Sequence, residues 1–490
     1  VSWTPELALA LALILPLAGG VGVVALGRYP NLRETVTLLS AVALAITVAY
    51  LVEASGSRPS LTLFELAPGL TLSFRLEPLG AVFAMVASGL WIVNSLYSIA
   101  YMRGNREKDQ TRFYLCFTLS IAAAMGIALS GNLLTLFFFY EALSLATYPL
   151  VAHKGDAKAR RGASIYLGIL LATSIGLFLP AILVTYALTG TTDFTAGGIL
   201  AGAAGPVAGS ILLVLFAFGI GKAALMPTHP WLPNAMVAPT PVSALLHAVA
   251  VVKAGVFTML KVAVYIFGPD YIATLPVSAW LAWAAGLSIV IASVMAMTHD
   301  NLKARLAYST VSQLSYVTLG AMLASPLALL GAALQIIMHA FGKITLFMAA
   351  GAIYTGTKKT EISQLDGLGR YMPVTFGVFL IGALSIIGVP PFGGVWPKIF
   401  LMEGAASAGQ PWLIAVLIGS TLLNIGYLLP IVLRGFLKPA PKENPMRAGQ
   451  PPALAWIAPL ITALGALALF FLIGPLIDYL GPVFITEMTP

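Results

Sequence analysis

Apolar runs long enough to cross a bilayer recur from one end of this chain to the other. A helix needs about 20 apolar residues to span the roughly 30 Å hydrocarbon layer. Fourteen such runs are read at 5–26, 33–54, 77–102, 111–130, 132–152, 163–189, 207–238, 240–267, 275–298, 301–323, 327–354, 372–409, 411–435 and 452–482, numbered here as segments 1–14. With 59% hydrophobic and 9% charged residues, the sequence leaves too little polar surface for a soluble domain. An all-α polytopic membrane protein is expected, set in a lipid bilayer.

The few charges are placed unevenly. Of 26 basic residues, 19 fall in one alternating set of loops, from Arg28 and Arg33 through Lys442 and Arg447, and only Arg58 and Arg75 fall in the other. By the positive-inside rule the first set is cytoplasmic. An even number of spans then puts both termini on the outer side of the cell (inner) membrane. The net charge of +8 is thereby explained by topology, and no nucleic-acid partner is implied. The first run lacks a basic leader and reads as a permanent helix. Gly20–Ala25 matches a loose dinucleotide fingerprint, but no strand precedes it and nucleotide binding there is rejected. Cys116 is the single cysteine, so neither a disulfide nor a thiolate-held cluster can form within the chain. The loop 55–76 alternates in polarity like a small hairpin.

The remaining five basic residues, Lys222, Lys253, Lys261, Lys343 and Lys398, lie inside segments. Each costs about 2.5–3.5 kcal/mol at mid-membrane, so such groups are paired, hydrated or functional. Segment 7 carries Lys222 and is then interrupted at Pro227, with further prolines to Pro241, which a straight helix cannot absorb. Freed backbone groups survive at that depth only against protein or a water-lined cavity. His229 lies by the break and reads equally as structural or functional. Segment 8 carries His247, Lys253 and Lys261, the last near enough to the outer end to snorkel. Glu141 in segment 5 either caps a neighbouring break or partners a buried lysine. His153, His299, Asp300, Lys303 and Arg305 read as solvated loop charges. Ser309 and Tyr316 belong to a polar stripe in segment 10, as interhelical glue or as part of a hydrated path. His339 and Lys343, four apart, share a face of segment 11.

Segment 12 is interrupted at Pro390 and Pro391, with Lys398 beside the break, 176 residues after Lys222. The two breaks are five segments apart, an odd spacing that inverts the second unit. Two inverted five-helix repeats are therefore expected, 111–267 (segments 4–8) and 275–435 (segments 9–13). Residues 1–110 form a peripheral layer with almost no buried charge, and 452–490 a closing helix. A lysine in a low-dielectric bundle readily exchanges its proton, and a nearby carboxylate tunes that exchange. A relay from Lys222 through His247 or Lys253, then His339 and Lys343, to Lys398 follows from the spacing. No catalytic site, metal site or cofactor is expected in this chain: there is no phosphate-binding loop, no metal-spaced histidine pair and no nucleophile beside a base.

These motifs together resemble the antiporter-like subunits of respiratory complex I, of membrane-bound hydrogenases and of multisubunit Mrp cation/proton antiporters. The likeness rests on FFFYEALSLATYPLV, GKAALMPTHPWLPNAMVAPTPVSALLHAVAVVKAG, DNLKARLAYSTVSQLSY, MHAFGKITLFMAAGAI and GVPPFGGVWPK, and covers about 77–435. The resemblance implies an ion pair between Glu141 and Lys222, continuation of the axis through His247 and Lys253, and an outlet at Lys398. Trp396-Pro397-Lys398 stands where Phe-Ser-Lys is common in the family. With no long lateral helix after segment 14, the chain is most similar to the D-type Mrp subunits or the medium complex I subunits. The expected function is that of a proton-translocating subunit of an Mrp-type Na+/H+ antiporter, partnered by other membrane subunits and handling protons and Na+. The alternative is a proton-pumping arm of a complex I-like or hydrogenase-like oxidoreductase.

Overall fold

A computed structural model describes residues 4–439, Met446 and residues 451–485. Lys442 and Arg447 of the basic set lie outside the described residues. Among the described residues, eleven helices are long and apolar enough to cross a membrane, and they match segments 1–6, 8, 9, 11, 13 and 14. The three other segments differ for visible reasons. Segment 7 breaks after Pro206–Gly219 and segment 12 after Pro373–Ile387, resuming at Val395–Ser407. Segment 10 is one helix, Leu302–Leu323, but its hydroxyl and amide stripe lowers its hydropathy. The chain is thus a multi-pass helical membrane protein.

Burial grades from the rim to the centre. The apolar windows of segments 1, 2, 6, 13 and 14 are 33–39% buried, those of segments 11 and 8 are 94% and 100% buried. Rim helices expose Ile14, Val21, Leu39, Ile46, Leu183 and Leu464, as a lipid-facing surface does. Segment 11, one helix over Pro326–Thr357, is the hub: it packs on segments 3, 8, 10 and 14 and on both halves of segment 12. Segments 8 and 11, which carry Lys253, Lys261 and Lys343, are those that lipid cannot reach.

The hairpin expected in the loop before segment 3 is present, β1 (Ser60–Ala67) pairing antiparallel with β2 (Leu70–Arg75). Two features depart from the sequence reading. Segment 14 is two helices, Leu454–Phe471 and Ile473–Ile485, divided just before Pro475, whose missing N–H cannot continue the ladder. Segments 1–3 are not free of buried charge. Arg33 and Glu34 are buried at the start of segment 2, where the Glu34 carboxylate accepts from Arg103 of segment 3. Segment 3 itself is 67% buried and is no peripheral helix.

Candidate functional site

The first break opens where Pro206–Gly219 ends and a single tight turn, Gly221–Ala223, carries Lys222. Ala224 follows in the left-handed region, φ +54°, and the Met226–Pro227 bond is cis. Backbone groups freed there find protein partners. The Lys222 N–H donates to the Tyr140 hydroxyl (3.0 Å), and the Gly221 carbonyl accepts from the Trp231 indole (2.9 Å). The Lys222 ammonium donates to the Tyr140 carbonyl (2.7 Å) and the Ser144 hydroxyl (2.6 Å) of segment 5, and lies 3.3 Å from the Tyr140 ring centroid. Segment 8 crosses the break backbone to backbone. A Cβ on Gly255 would come within 2.2 Å of the Lys222 carbonyl carbon.

Glu141 is on segment 5 beside Tyr140, yet neither of its buried oxygens has a hydrogen-bond partner. It acts on Lys222 electrostatically but does not touch it. Its own helix turns Phe138 and Leu145 outward, 48% and 58% exposed, so the carboxylate is at the edge between core and surface. The sequence reading had no means of distinguishing contact from proximity here, because adjacent residues 140 and 141 point about 100° apart.

Deeper in the core the cations line up. The Lys253 ammonium is 2.8 Å from Nδ1 of His339. One helical turn on, Lys343 donates to the Ser309 hydroxyl (2.6 Å) and the Leu306 carbonyl (3.3 Å) of segment 10. Ser309 is 2.8 Å from the Tyr427 hydroxyl, which donates to Asn424 (2.5 Å), both on segment 13. One turn back along segment 13, the Thr421 hydroxyl accepts from Lys398 (3.0 Å), which also donates to the Ile387 carbonyl (2.6 Å) released at the second break. A polar file therefore runs Lys253, His339, Lys343, Ser309, Tyr427, Asn424, Thr421, Lys398. Ser309 links segments 10, 11 and 13 at this point. Tyr316 is set beside the file, 5.7 Å from Lys398 as a cation–π contact.

His247 stands off the file. It occupies a wide π-helical turn, Leu245–Val249, against the Phe347 ring (4.4 Å between centroids), with both ring nitrogens unpartnered. Such turns inside helices are frequent at functional sites. His229 is half-buried against Tyr308 (6.2 Å), with Nδ1 unpartnered, and makes no contact with the file. The second break contains a cis Pro390–Pro391 bond; Gly388, at φ +84°, ends its first helix, and Val389, 37% exposed, faces outward.

Several residues are more tightly held than their sequence context implies. Lys261 does not snorkel: it is fully buried, 2.5 Å from Glu77. His153 is buried on Phe113, and burial together with nearby Arg112 holds its imidazole below the usual histidine range. Asp300 accepts from the backbone and hydroxyl of Ser363, which holds its carboxyl below the usual carboxylate range. Lys303 donates to the Ala238 carbonyl (2.5 Å) and Arg305 to the His299 and Tyr427 carbonyls. A cavity of about 610 Å3 opens on this basic face, lined by Lys154, Lys158, Arg161, Lys303 and Lys359 among others. Sequence reasoning missed Tyr140, Ser144, Thr421, Asn424 and Tyr427. For Tyr140, Ser144, Asn424 and Tyr427 the signal was helical spacing: 140, 144 and 147 share one face of segment 5, and 420, 424 and 427 one face of segment 13.

A helical membrane core with two broken helices and a buried file of lysines, a histidine and polar side chains is the class that the geometry defines. Residues 130–424 match the family model described as "NADH:quinone oxidoreductase/Mrp antiporter, TM", and the chain belongs to that family. It is 32% identical over 385 residues to NADH-quinone oxidoreductase subunit N of Desulforudis audaxviator, covering 77% of this chain and 75% of that one. It is 31% identical over 401 residues to a probable K(+)/H(+) antiporter component of Rhizobium meliloti, covering 78% of this chain but only 38% of the relative. Among solved structures, a chain of the Mrp complex from Dietzia sp. DQ12-45-1b superposes with a TM-score of 0.85 at 28% identity, over 99% of this chain and 52% of that chain.

Proposed function

We propose that the chain is a proton-translocating subunit of a multisubunit Mrp-type monovalent cation/proton antiporter. The observation that carries this reading is the buried file from Lys253 to Lys398, whose members are linked or one helical turn apart. Lys222 joins it through the close crossing at Gly255. Protons pass between such groups when neighbouring charges shift. An approaching carboxylate stabilises an ammonium and its withdrawal destabilises it. Glu141, near Lys222 but unbound, is placed to move in and out and so to load and unload the head of the file. His247, with two free nitrogens beside the file, serves as an alternate carrier.

In this reading all fourteen segments cross the bilayer. The repeats are 111–267 and 275–435, flanked by 1–110 and 452–490, with the basic loops in the cytoplasm and the hairpin and both chain ends outside. Other membrane subunits complete the antiporter in the cell membrane. The Mrp likeness, at 28% identity over 99% of this chain, supports the antiporter. The match to 75% of a quinone oxidoreductase subunit supports a second reading, a proton-pumping arm driven by electron transfer. Purifying the assembly in mild detergent and identifying every co-purifying chain by mass spectrometry decides between them. Membrane subunits alone mean an antiporter; iron–sulfur or flavin proteins mean a redox-driven pump. Proton transport unaffected by Lys222→Ala would sink both.

A further inference from the structure

Segment 8 carries a second cation that the file does not use. Lys253, Phe257 and Lys261 are spaced by four along one continuous helix, Val251–Lys261, and so share a face. Lys261 is fully buried, about 12 Å from Lys253 along the axis at 1.5 Å per residue. Its ammonium is 2.5 Å from Glu77 Oε2 and 3.9 Å from the Phe194 ring centroid. Glu77 occupies the N-cap position of segment 3, where a carboxylate ordinarily caps the helix, but it makes no capping bond. It spends one oxygen on Lys261 and the other on Arg75, which donates from Nε (3.1 Å) and Nη2 (2.7 Å).

Exposure falls stepwise along these three residues. The side chains of Arg75, Glu77 and Lys261 are 35%, 10% and 0% exposed. Arg75 also donates to the Phe194 carbonyl and ends β2, so the hairpin strand, the residue 194 loop and segment 8 meet on this pair. Between Lys261 and Lys253 stands an aromatic plug: Phe257, packed on Phe83 at 5.0 Å between centroids and 5.7 Å from the Lys261 ammonium.

We propose that Arg75, Glu77, Lys261 and Phe257 form a gated outward branch of the cation file, a site where a water-borne proton on the hairpin side exchanges with Lys253. This rests on the proton-transport reading above. In the present state the branch is shut twice, by the Glu77–Lys261 ion pair and by the Phe257–Phe83 contact. Separation of the pair leaves a buried charge without its partner, which draws in water. Water behind Phe257 then bridges Lys261 to Lys253, and no covalent step is involved. Arg75 is a positioning residue that holds Glu77 in place from the hairpin.

The test uses the whole assembled complex in liposomes containing a pH-reporting dye. Passive proton entry is followed after an acid pulse on the hairpin side, with no driving gradient of other ions. Glu77→Gln and Phe257→Ala are each expected to raise passive proton conductance by roughly tenfold, the scale of an ordinary coupling between sites. Sodium and dye permeability should stay at the parent level. An unchanged proton conductance in both variants, with assembly verified, overturns the gate, and so does a parallel rise in sodium or dye leakage, which marks a disrupted bundle. Lys222→Ala, measured for driven transport in the same preparation, separates the two failures. If driven transport survives that change, the proton-transport reading fails. If it is lost while Glu77→Gln and Phe257→Ala leave the passive conductance unchanged, only the gate fails.

Discussion

The two helix breaks solve one problem in opposite ways. In the first, every residue from Ile220 to Leu225 is buried, and Lys222 is held by a carbonyl and a hydroxyl of another helix, segment 5. In the second, Val389 reaches the surface, and Lys398 folds back onto the Ile387 carbonyl of its own break and onto Thr421. A lysine satisfied by a neighbouring helix responds when that helix moves. A lysine satisfied by its own break is less sensitive to such movement. In the proposed function the first break is the input to the file and the second its end, although both consist of a helix end, a cis X–Pro bond and a lysine.

The largest test of that difference is Lys222→Ala, expected to reduce driven proton transport by roughly 100-fold or more, the scale of losing a positioned proton-transfer group, with the complex still assembled. Lys398→Ala should cost only about tenfold, equivalent to about 1.4 kcal/mol, because its ammonium is held in part by a carbonyl of its own break. Equal losses would break the comparison. Removing the hydroxyl partners sharpens it: Ser144→Ala is expected to slow transport about tenfold, as a bond to a charged group is worth about 1.5–3 kcal/mol. Thr421→Val should have the smaller effect, measurable in the same vesicles as a residual rate several-fold higher than that of Ser144→Ala. The smallest contrast is steric. Gly255→Ala drives a methyl group into the backbone of the first break and should lower stability by about 1–3 kcal/mol, read as a fall in Tm. Gly388→Ala meets the flexible Lys398 side chain at 3.0 Å and is destabilised mainly by its positive φ, about 1–2 kcal/mol.

Much of this was legible in the sequence because bilayer thickness and helix pitch are fixed. Eleven helices fall where apolar runs of the right length stand, and both breaks fall where proline clusters stand beside a lysine. His339 and Lys343 share a face because four residues make about one turn. What the sequence left open concerns pairing between distant elements. Nothing near Lys261 in the chain points to Glu77, 184 residues away, so snorkelling looked reasonable. Nothing near Lys343 points to Tyr427. Glu141 shows the converse: it adjoins Tyr140, which does hold Lys222, yet its own carboxylate makes no such bond, because direction around a helix is settled by packing rather than by proximity in the chain.

Segment 8 has a further consequence, for the order in which the protein is built. Its apolar window is entirely buried, and it bears His247, Lys253 and Lys261, so it cannot rest comfortably in lipid by itself. As the chain emerges, the partner of Lys261 is already present, since Glu77 precedes it by 184 residues. The partner of Lys253 is not, since His339 follows it by 86. The helix is therefore moored first at its hairpin end and left with an unmatched cation until segment 11 arrives. Biogenesis of the core waits on that arrival, and segment 11, the hub of the finished bundle, is also its keystone in time.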